Sequence, residues 1–200
     1  MRFGIEIEQF LLDKDGSPMV VPTSLPADSE GVQVEARGLP HNDIVQAVYS
    51  AIGEMESIDR KAQKMGFHLA TGVSVLKIPR DVKLKARMAY SKGILSYKNL
   101  YSYTRHRVSV HESTAGVHLS VTNPYTIMWK DGQYQETFRM WDFPSFFRHL
   151  DGVFKEEIRA AKRNPGFYEL KPDGRVEYRS LPNNIDWWKL IEVVREYKHF

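Results

Sequence analysis

Residues 2–12 alternate between apolar and polar side chains, and this period of two predicts a β-strand. The next four residues, 13–16, contain a glycine and two aspartates and predict a turn at the end of this strand. A second alternating run from Gly31 to Arg37 predicts another strand. Shorter runs predict strands at Val73 to Leu76 and at Arg175 to Leu181. Strand-type patterns therefore occur near both ends of the chain.

The period changes after Pro40, where apolar residues recur every three to four positions, as on one face of a helix. Asn42 or Asp43 can cap this helix, and Gly66 can end it. Its buried stripe is predicted to consist of Ile44, Val45, Val48, Ile52, Met55 and Ile58. One face of the helix is thus expected to pack against the strands.

Two further helices are predicted in the last third of the chain, one opening at Pro144 and one capped by Asp186. Their apolar residues are Phe146, Phe147, Leu150, Phe154 and Ile158 in the first, and Trp187, Leu190, Ile191 and Val194 in the second. Val108 to Val121 predicts two alternating runs separated by residues 112–114, whereas Arg80 to Tyr103 fits either a helix or a loop. This irregular mixture favours an α+β fold, with one domain over residues 1–200, a mostly antiparallel sheet and helices packed on one face.

The amino-acid composition limits which catalytic groups and metal ligands the protein can use. With no cysteine among its 200 residues, the chain has no thiol nucleophile and no thiolate metal ligand. Any metal is then held by oxygen and imidazole ligands, which is the chemistry of Mg²⁺ or Mn²⁺. No window approaches the apolar length of a membrane helix, and acids close to the N-terminus exclude a signal-peptide core. We therefore expect a cytoplasmic protein without membrane association.

The formal net charge of +3 hides an uneven distribution. Nine lysines and arginines lie between Lys77 and Arg107, where Asp81 is the one acid, and four tyrosines interleave with them. Aromatic rings beside cations suit a single-stranded nucleic acid. They equally suit an adenine with its triphosphate, with Arg105 or Arg107 reaching the phosphates. The alternative is a solvated helix whose lysine stems cover apolar surface.

The most informative pattern is the position of charged residues on the predicted strands. Glu6 and Glu8 are two residues apart, so on a strand they project from the same face. Ile5 and Ile7 then point to the opposite face. Three other predicted strands also place charged or polar residues on the face opposite their apolar residues. These residues are Glu35 on one strand, His118 and Ser120 on another, and Glu177 and Arg179 on the third.

Carboxylates that converge on one sheet face repel each other unless cations neutralise them. Divalent metals with phosphate oxygens are a natural neutraliser, and Arg179 is then placed to bind a phosphoryl oxygen through two hydrogen bonds. The alternative interpretation is that the acids lie on solvated strand faces, that Glu177 and Arg179 form a surface ion pair, and that His118 is structural.

The same residues resemble the motifs of a known family. Gly4-Ile5-Glu6-Ile7-Glu8 resembles the G-x-E-x-E opening strand of glutamine synthetase-like amidoligases and of glutamate–cysteine ligases. The segment from Thr114 to Ser120 resembles their later strand with the pattern G-x-H-x-H-x-S, and Val176 to Pro182 resembles their closing E-F-R strand. Their order and spacing are similar to those of the phage and bacterial carboxylate–amine ligases called amidoligase type 2.

The resemblance implies a curved, mostly antiparallel sheet, like the catalytic domain of glutamine synthetase, that binds ATP with Mg²⁺ or Mn²⁺. It implies an enzyme that activates a carboxylate as an acyl phosphate and joins it to an amine. Carried over by position, the metal ligands are Glu6, Glu8, Glu35, His118 and Glu177. The nucleotide-binding residues are His118, Ser120 and Arg179, with Arg105 and Arg107 of the basic segment. The catalytic residues are Glu35, which holds a metal or the amine, and Arg179, which contacts phosphate.

Several points stay open in the sequence. The second histidine of the family pattern is absent, because Leu119 and Ser120 follow His118. The substrates include amino acids, peptides and cell-wall fragments, and a homo-oligomer is compatible with the family. Two alternative functions are a basic nucleic-acid-binding protein with structural acid strands, and a metal-dependent phosphohydrolase or nuclease that uses the same carboxylates without an amine.

Overall fold

A computed structural model describes residues 1–90, 98–101, 109, 111–122, 126–130, 133–137, 142–171 and 174–197, with the backbone only at 126–130 and 133–137. The strands are β1 (Arg2–Leu12), β2 (Gln33–Arg37), β3 (His68–Leu69), β4 (Val75–Lys77), β5 (Lys98–Asn99), β6 (Glu112–Thr114), β7 (Gly116–Thr122), β8 (Thr126–Lys130), β9 (Gln133–Thr137), β10 (Phe167–Leu170) and β11 (Val176–Pro182). The helices are α1 (Ile44–Lys64), α2 (Arg80–Ala89), α3 (Phe143–Val153), α4 (Lys155–Ala160) and α5 (Trp187–Glu196).

The main sheet has the strand order β2-β1-β7-β11-β10-β5, and β3 pairs with the end of β1. Each of these pairings is antiparallel. Two small antiparallel pairs, β4 with β6 and β8 with β9, complete the strands of the described ranges. The predicted α+β class with a mostly antiparallel sheet is confirmed. No helix in these ranges is both long and apolar enough to cross a membrane.

One face of the sheet carries the larger hydrophobic core. Ile5 and Ile7 of β1 are buried there, in one cluster with residues from α1, α3, α4 and α5. The helix caps agree with the sequence, since the Asp43 side chain accepts from the Val45 N–H and the Asp186 side chain accepts from the Trp188 N–H. The apolar stripes of these helices therefore fix which face of each strand is left for polar side chains.

Helix α2 departs from the prediction that all the helices pack on one face of the sheet. Ala86 of α2 belongs to a second, smaller cluster with Phe10 and Val32. Phe10 alternates with Leu11 and so points to the same side as Glu8. The single-face prediction is thus wrong for α2, because an apolar side chain at this end of the polar face needs its own cover.

Other sequence predictions also need correction. Residues 112–114, predicted to separate two alternating runs, themselves form β6, where Ser113 is buried and pairs opposite Leu76. The helix predicted from Pro144 begins at Phe143 and is broken at Phe154 into α3 and α4. Its hydrogen bonds continue across the break, from the Phe154 N–H to Leu150 and from the Ile158 N–H to Phe154, so the apolar spacing is that of one helix. The Val73–Leu76 strand is shifted to Val75–Lys77.

Candidate metal site

The register of the central strands brings the predicted acids together on the face opposite the larger core. Glu8 pairs opposite Glu35 of β2. Glu6 pairs opposite Arg37 on one side and opposite His118 of β7 on the other. In the next strand of the sheet, Ser120 pairs opposite Glu177 of β11. Residues directly opposite each other share a face, so these side chains form one polar surface across four strands.

His118 lies at the centre of this surface. Its Nδ1 atom is 3.3 Å from Glu6 Oε2 and 3.8 Å from Glu177 Oε1, and its Nε2 atom is 3.3 Å from Glu8 Oε1. Two overlapping groups result, Glu6 with His118 and Glu177, and Glu8 with Glu35 and His118. Within each group, one potential ligand atom per residue lies within 4.8 Å of the others. This spacing suits a cation held between them.

The surroundings of His118 provide a test of whether a metal fits. The side chain is 1 % exposed, and burial holds the pKa of His118 well below its usual value, so the ring is neutral at pH 7. Its Nδ1 atom contacts Glu6, but its buried Nε2 atom has no hydrogen-bond partner although Glu8 lies beside it. A buried polar atom without a partner is costly. A neutral imidazole nitrogen that faces two carboxylates is a suitable ligand for a divalent cation.

Two of the carboxylates hold their protons unusually strongly. Burial raises the pKa of Glu8 to about 7, against the lowering effect of Arg163 and Arg179. Burial also raises the pKa of Glu35 to about 7, and the charge of Glu6 adds to the rise. A metal ion that binds these groups therefore displaces protons near neutral pH.

Arg179 lies in a β-bulge, because the register of β11 against β7 shifts between Tyr178 and Leu181. Arg179 is two residues from Glu177, so the alternation of β11 places the two side chains on the same face, as the sequence predicts. The Arg179 guanidinium contacts Glu177 closely, and its Nη2 atom is 3.9 Å from Glu8 Oε1. The predicted arginine thus reaches the acid cluster from the strand that carries Glu177.

Two further cations border the cluster. The Lys171 ammonium lies 2.9 Å from Glu169 Oε2 and 3.3 Å from Glu177 Oε2. Arg37 lies 2.5 Å from Glu35 Oε2 and 3.8 Å from Glu6 Oε1. Each acid at the edge of the cluster therefore has a cationic neighbour.

A glycine and an arginine support the cluster from β7 and from the loop after α4. The Gly116 N–H donates to Glu8 Oε2 over 2.9 Å. Arg163 donates to the backbone oxygen of Arg179 and lies over Gly116, where an added Cβ would come within 2.3 Å of its guanidinium carbon. A side chain at the glycine of the Thr114–Ser120 motif would therefore force this guanidinium to move.

A cavity of about 850 Å³ covers the acid cluster. This volume is in the range of ligand-binding clefts. Lys83 and Arg87, one turn apart on α2, line it together with Lys162 and Arg163. The basic segment of the sequence therefore reaches the same cavity as the carboxylates.

The structure brings most of the predicted site residues together. These are Glu6, Glu8, Glu35, His118, Ser120, Glu177 and Arg179. Arg105 and Arg107 lie outside the described residues. Sequence reasoning missed Glu169, because β10 was not predicted, and it missed Lys171 and Arg163, which lie in loops without a periodic pattern.

No family model, no curated protein and no solved structure matches this chain. The likeness to amidoligases therefore rests on the three sequence motifs alone, and the activity has to be argued from the site.

Proposed function

We propose that this protein is an ATP-dependent ligase that uses Mg²⁺ or Mn²⁺ to join a carboxylate to an amine. The observation that carries the proposal is the buried His118 Nε2 atom, which lacks a hydrogen-bond partner in the middle of four glutamates. On a solvated strand face we would expect neither a buried histidine nor carboxylates whose pKa values are raised by burial. The alternative of purely structural acid strands is therefore less well supported.

The potential metal ligands form two groups, which we assign to two cation positions. Glu8 and Glu35 surround His118 Nε2, the nitrogen without a partner, and form the group that we favour for the first ion. Glu6 and Glu177 then remain for a second ion on the Nδ1 side of the ring. Divalent ions bound there supply positive charge that neutralises developing charge on phosphoryl oxygens.

The cationic side chains of the cavity fit the phosphates of a nucleotide. Lys83 and Arg87 of α2 face the space above the acids, and Arg179 enters it from β11. An arginine can hold two phosphate oxygens in a planar, bidentate contact, and a lysine adds a point charge. A cavity lined by both carboxylates and cationic side chains is expected where metal ions and a polyphosphate bind together.

In the proposed reaction, a carboxylate oxygen of the substrate bonds to the γ-phosphorus of ATP as the bond to the bridging oxygen breaks, and ADP leaves. The amine nitrogen then bonds to the acyl carbon, phosphate leaves with the electron pair of the C–O bond, and the nitrogen loses a proton. Arg179 is placed to stabilise negative charge on the transferred group. The resemblance assigns Glu35 to a metal or to the amine, and its position beside Glu8 is compatible with either role.

Calorimetry with the non-hydrolysable ATP analogue AMPPNP tests the nucleotide site without knowledge of the acceptor. We expect AMPPNP to bind with Mg²⁺ and not with EDTA, and Glu177→Gln to weaken binding by about 100-fold, as for the loss of a metal ligand. The exposed Glu56→Gln variant is the matched control and keeps the wild-type affinity. Metal-independent binding, or equal affinity in both variants, would contradict the proposal.

The remaining alternatives make different predictions for the same protein. A metal-dependent phosphohydrolase would use the same carboxylates, and it would release phosphate from ATP at full rate without any amine. A nucleic-acid-binding protein would bind oligonucleotides with an affinity that falls steeply with salt and does not depend on Mg²⁺. We place the nucleic-acid-binding protein after the ligase because Lys83 and Arg87 line a cavity that also holds carboxylates. We place the phosphohydrolase after it because the strand that carries Glu177 and Arg179 resembles the closing strand of the ligases.

A further inference from the structure

One lysine bridges two glutamates of the polar face, beside the proposed metal site. Glu169 of β10 pairs directly opposite Glu177 of β11. Two like charges at directly opposite positions of an antiparallel pair repel each other. The Lys171 ammonium lies 2.9 Å from Glu169 Oε2 and 3.3 Å from Glu177 Oε2. A cation that belongs to the chain itself therefore holds these two carboxylates together.

The backbone fixes the position of Lys171. This residue follows the last residue of β10, and its N–H donates to the Arg175 carbonyl oxygen over 2.9 Å. The Gly174 N–H donates to the Lys171 carbonyl oxygen over 3.0 Å. Because Lys171 is two residues from Glu169, the strand alternation directs both side chains to the same face. The lysine is thus placed by the hairpin turn between β10 and β11 as well as by its ion pairs.

The Lys171 bridge differs from the surface ion pairs of the molecule. The side chain of Lys171 is 21 % exposed, that of Glu169 is 15 % exposed and that of Glu177 is fully buried. In the Lys85–Asp81 pair of α2, by contrast, the side chains are 73 % and 68 % exposed. Such a surface pair contributes little to stability, whereas a buried carboxylate without a cationic partner is costly. Lys171 therefore compensates charge that water does not reach.

The two carboxylate oxygens of Glu177 have different neighbours. Oε2 faces the Lys171 ammonium and accepts a hydrogen bond from the Ser120 hydroxyl over 3.3 Å. Oε1 lies 3.8 Å from His118 Nδ1 and contacts the Arg179 guanidinium. The oxygen nearest to the proposed second ion is therefore Oε1, while Oε2 is engaged by the ammonium and the hydroxyl.

Glu169 belongs to neither of the two groups of potential metal ligands among the described residues. Its carboxylate contacts Lys171 instead. Without that ammonium, Glu169 and Glu177 would form a pair of carboxylates of the kind that binds a hard divalent ion. The ammonium lies within contact distance of both, in the position that such an ion would take.

We propose that Lys171 is a permanent cation of the metal site: it takes the place of a divalent ion between Glu169 and Glu177 and restricts metal binding to the two ions around His118. The inference rests on the proposed function for those two ions. Lys171 is then a positioning residue, because it holds Glu177 through one oxygen and leaves the other for the metal. Its removal should open one further ion-binding position.

Counting the bound Mn²⁺ ions tests this role without nucleotide, substrate or turnover. Titration at pH 8, followed by the electron paramagnetic resonance signal of free Mn²⁺, gives the number of ions per chain. We expect Lys171→Met to bind one ion more than the wild type, because methionine fills similar space without a charge. Lys171→Arg keeps a cation between the carboxylates and should bind the wild-type number. No gain of an ion in Lys171→Met would overturn the proposal.

A glutamine at position 169 locates the additional ion. In the Lys171→Met background, Glu169→Gln should remove the gained ion, because one of the two carboxylates is lost. In the wild-type background it should leave the count unchanged, since Glu169 binds the ammonium rather than a metal. Lys155→Met, at an exposed position of α4, is the matched control for a lost lysine and should also leave the count unchanged. A gained ion that survives Glu169→Gln, or an ion lost in Glu169→Gln alone, would overturn the proposal.

The outcomes separate this inference from the proposed function. If the wild type binds no Mn²⁺ while Lys171→Met binds one ion through Glu169, the role of Lys171 stands and the metal site at His118 does not. If the wild type and Lys171→Met both bind two ions, the metal site stands and the role of Lys171 does not. A circular dichroism spectrum and a melting temperature show whether each variant is folded. Glu169→Gln keeps an acceptor for the ammonium, so it provides a test that does not depend on the folding of Lys171→Met.

Discussion

Two buried polar clusters lie on opposite faces of the same sheet, and they differ in how completely they are hydrogen-bonded. On the helix-covered face, Asp151 accepts from the Gly166 N–H and from the hydroxyls of Tyr178 and Tyr101. On the open face, His118 is equally buried, and its Nε2 atom has no hydrogen-bond partner. A satisfied cluster stabilises the fold, whereas a buried group without a partner is available to a ligand.

The largest effect should come from breaking the satisfied cluster. Asp151→Ala leaves the buried Tyr178 hydroxyl and the Gly166 N–H without their acceptor. We expect the free energy of unfolding to fall by about 4 kcal/mol, because several hydrogen bonds to one charged group are lost together. Urea denaturation followed by tryptophan fluorescence measures it. A loss below about 1 kcal/mol would show that the Asp151 cluster does not stabilise the fold.

The unsatisfied cluster should make the metal-free protein less stable as the pH rises. Burial raises the pKa values of Glu8 and Glu35 to about 7 in the folded state, above the value of 4.5 for an unperturbed glutamate. Between those pH values the folded protein holds protons that the unfolded chain has lost, so stability is full below about pH 4.5 and falls up to about pH 7.

Taken alone, either carboxyl is expected to contribute a loss of about 3 kcal/mol of unfolding free energy over this range. Denaturation midpoints from pH 4.5 to 8 measure it, and an excess of Mn²⁺ should flatten or reverse the slope because the ion favours the deprotonated groups. A metal-free protein whose stability rises across the same range would contradict the pKa values of these two carboxyls.

A neutral substitution should separate stability from binding at the same position. Glu8→Gln keeps an acceptor for the Gly116 N–H but removes the cost of ionising a buried carboxyl. At pH 8 and without metal, we expect it to raise the free energy of unfolding by about 2 kcal/mol, in contrast to the loss in Asp151→Ala. Destabilisation by Glu8→Gln would mean that its charge is already well compensated by the protein.

The smallest effect concerns the support of the site by Arg163. Gly116→Ala forces the guanidinium of Arg163 to move, since the new Cβ would lie within 2.3 Å of it. We expect a loss of about 1 kcal/mol of stability, together with weaker AMPPNP binding. Gly53→Ala in α1 is the matched control, because its Cβ meets nothing within 4 Å and it should stabilise the helix by about 1 kcal/mol. Similar changes in both variants would exclude a role for the Arg163 contact.

Periodicity predicted much of this molecule because the strands that carry the acids are regular. The alternation of β1 assigns Ile5 and Glu6 to opposite faces, and the caps at Asp43 and Asp186 are local hydrogen bonds that the sequence reveals directly. The break at Phe154 was not predicted, since the hydrogen bonds on either side continue the helical spacing.

Periodicity alone does not show that the residues of the site come together. Glu6 and His118 meet through the register between β1 and β7, which are far apart in the sequence. The irregular pairing of β11 with β7 between Tyr178 and Leu181 likewise has no counterpart in the residue pattern. Arg163 and Lys171 come from loops, whose positions depend on tertiary packing.

The central claim is that the cluster around His118 binds a divalent cation, and Mn²⁺ calorimetry at pH 7 in two buffers of different ionisation enthalpy tests it most directly. We predict that Mn²⁺ binds with release of protons, and that Glu8→Gln weakens binding by about 100-fold while the exposed Glu56→Gln does not. An absence of Mn²⁺ binding, or equal affinity in the two variants, would contradict the metal site and the ligase proposed from it.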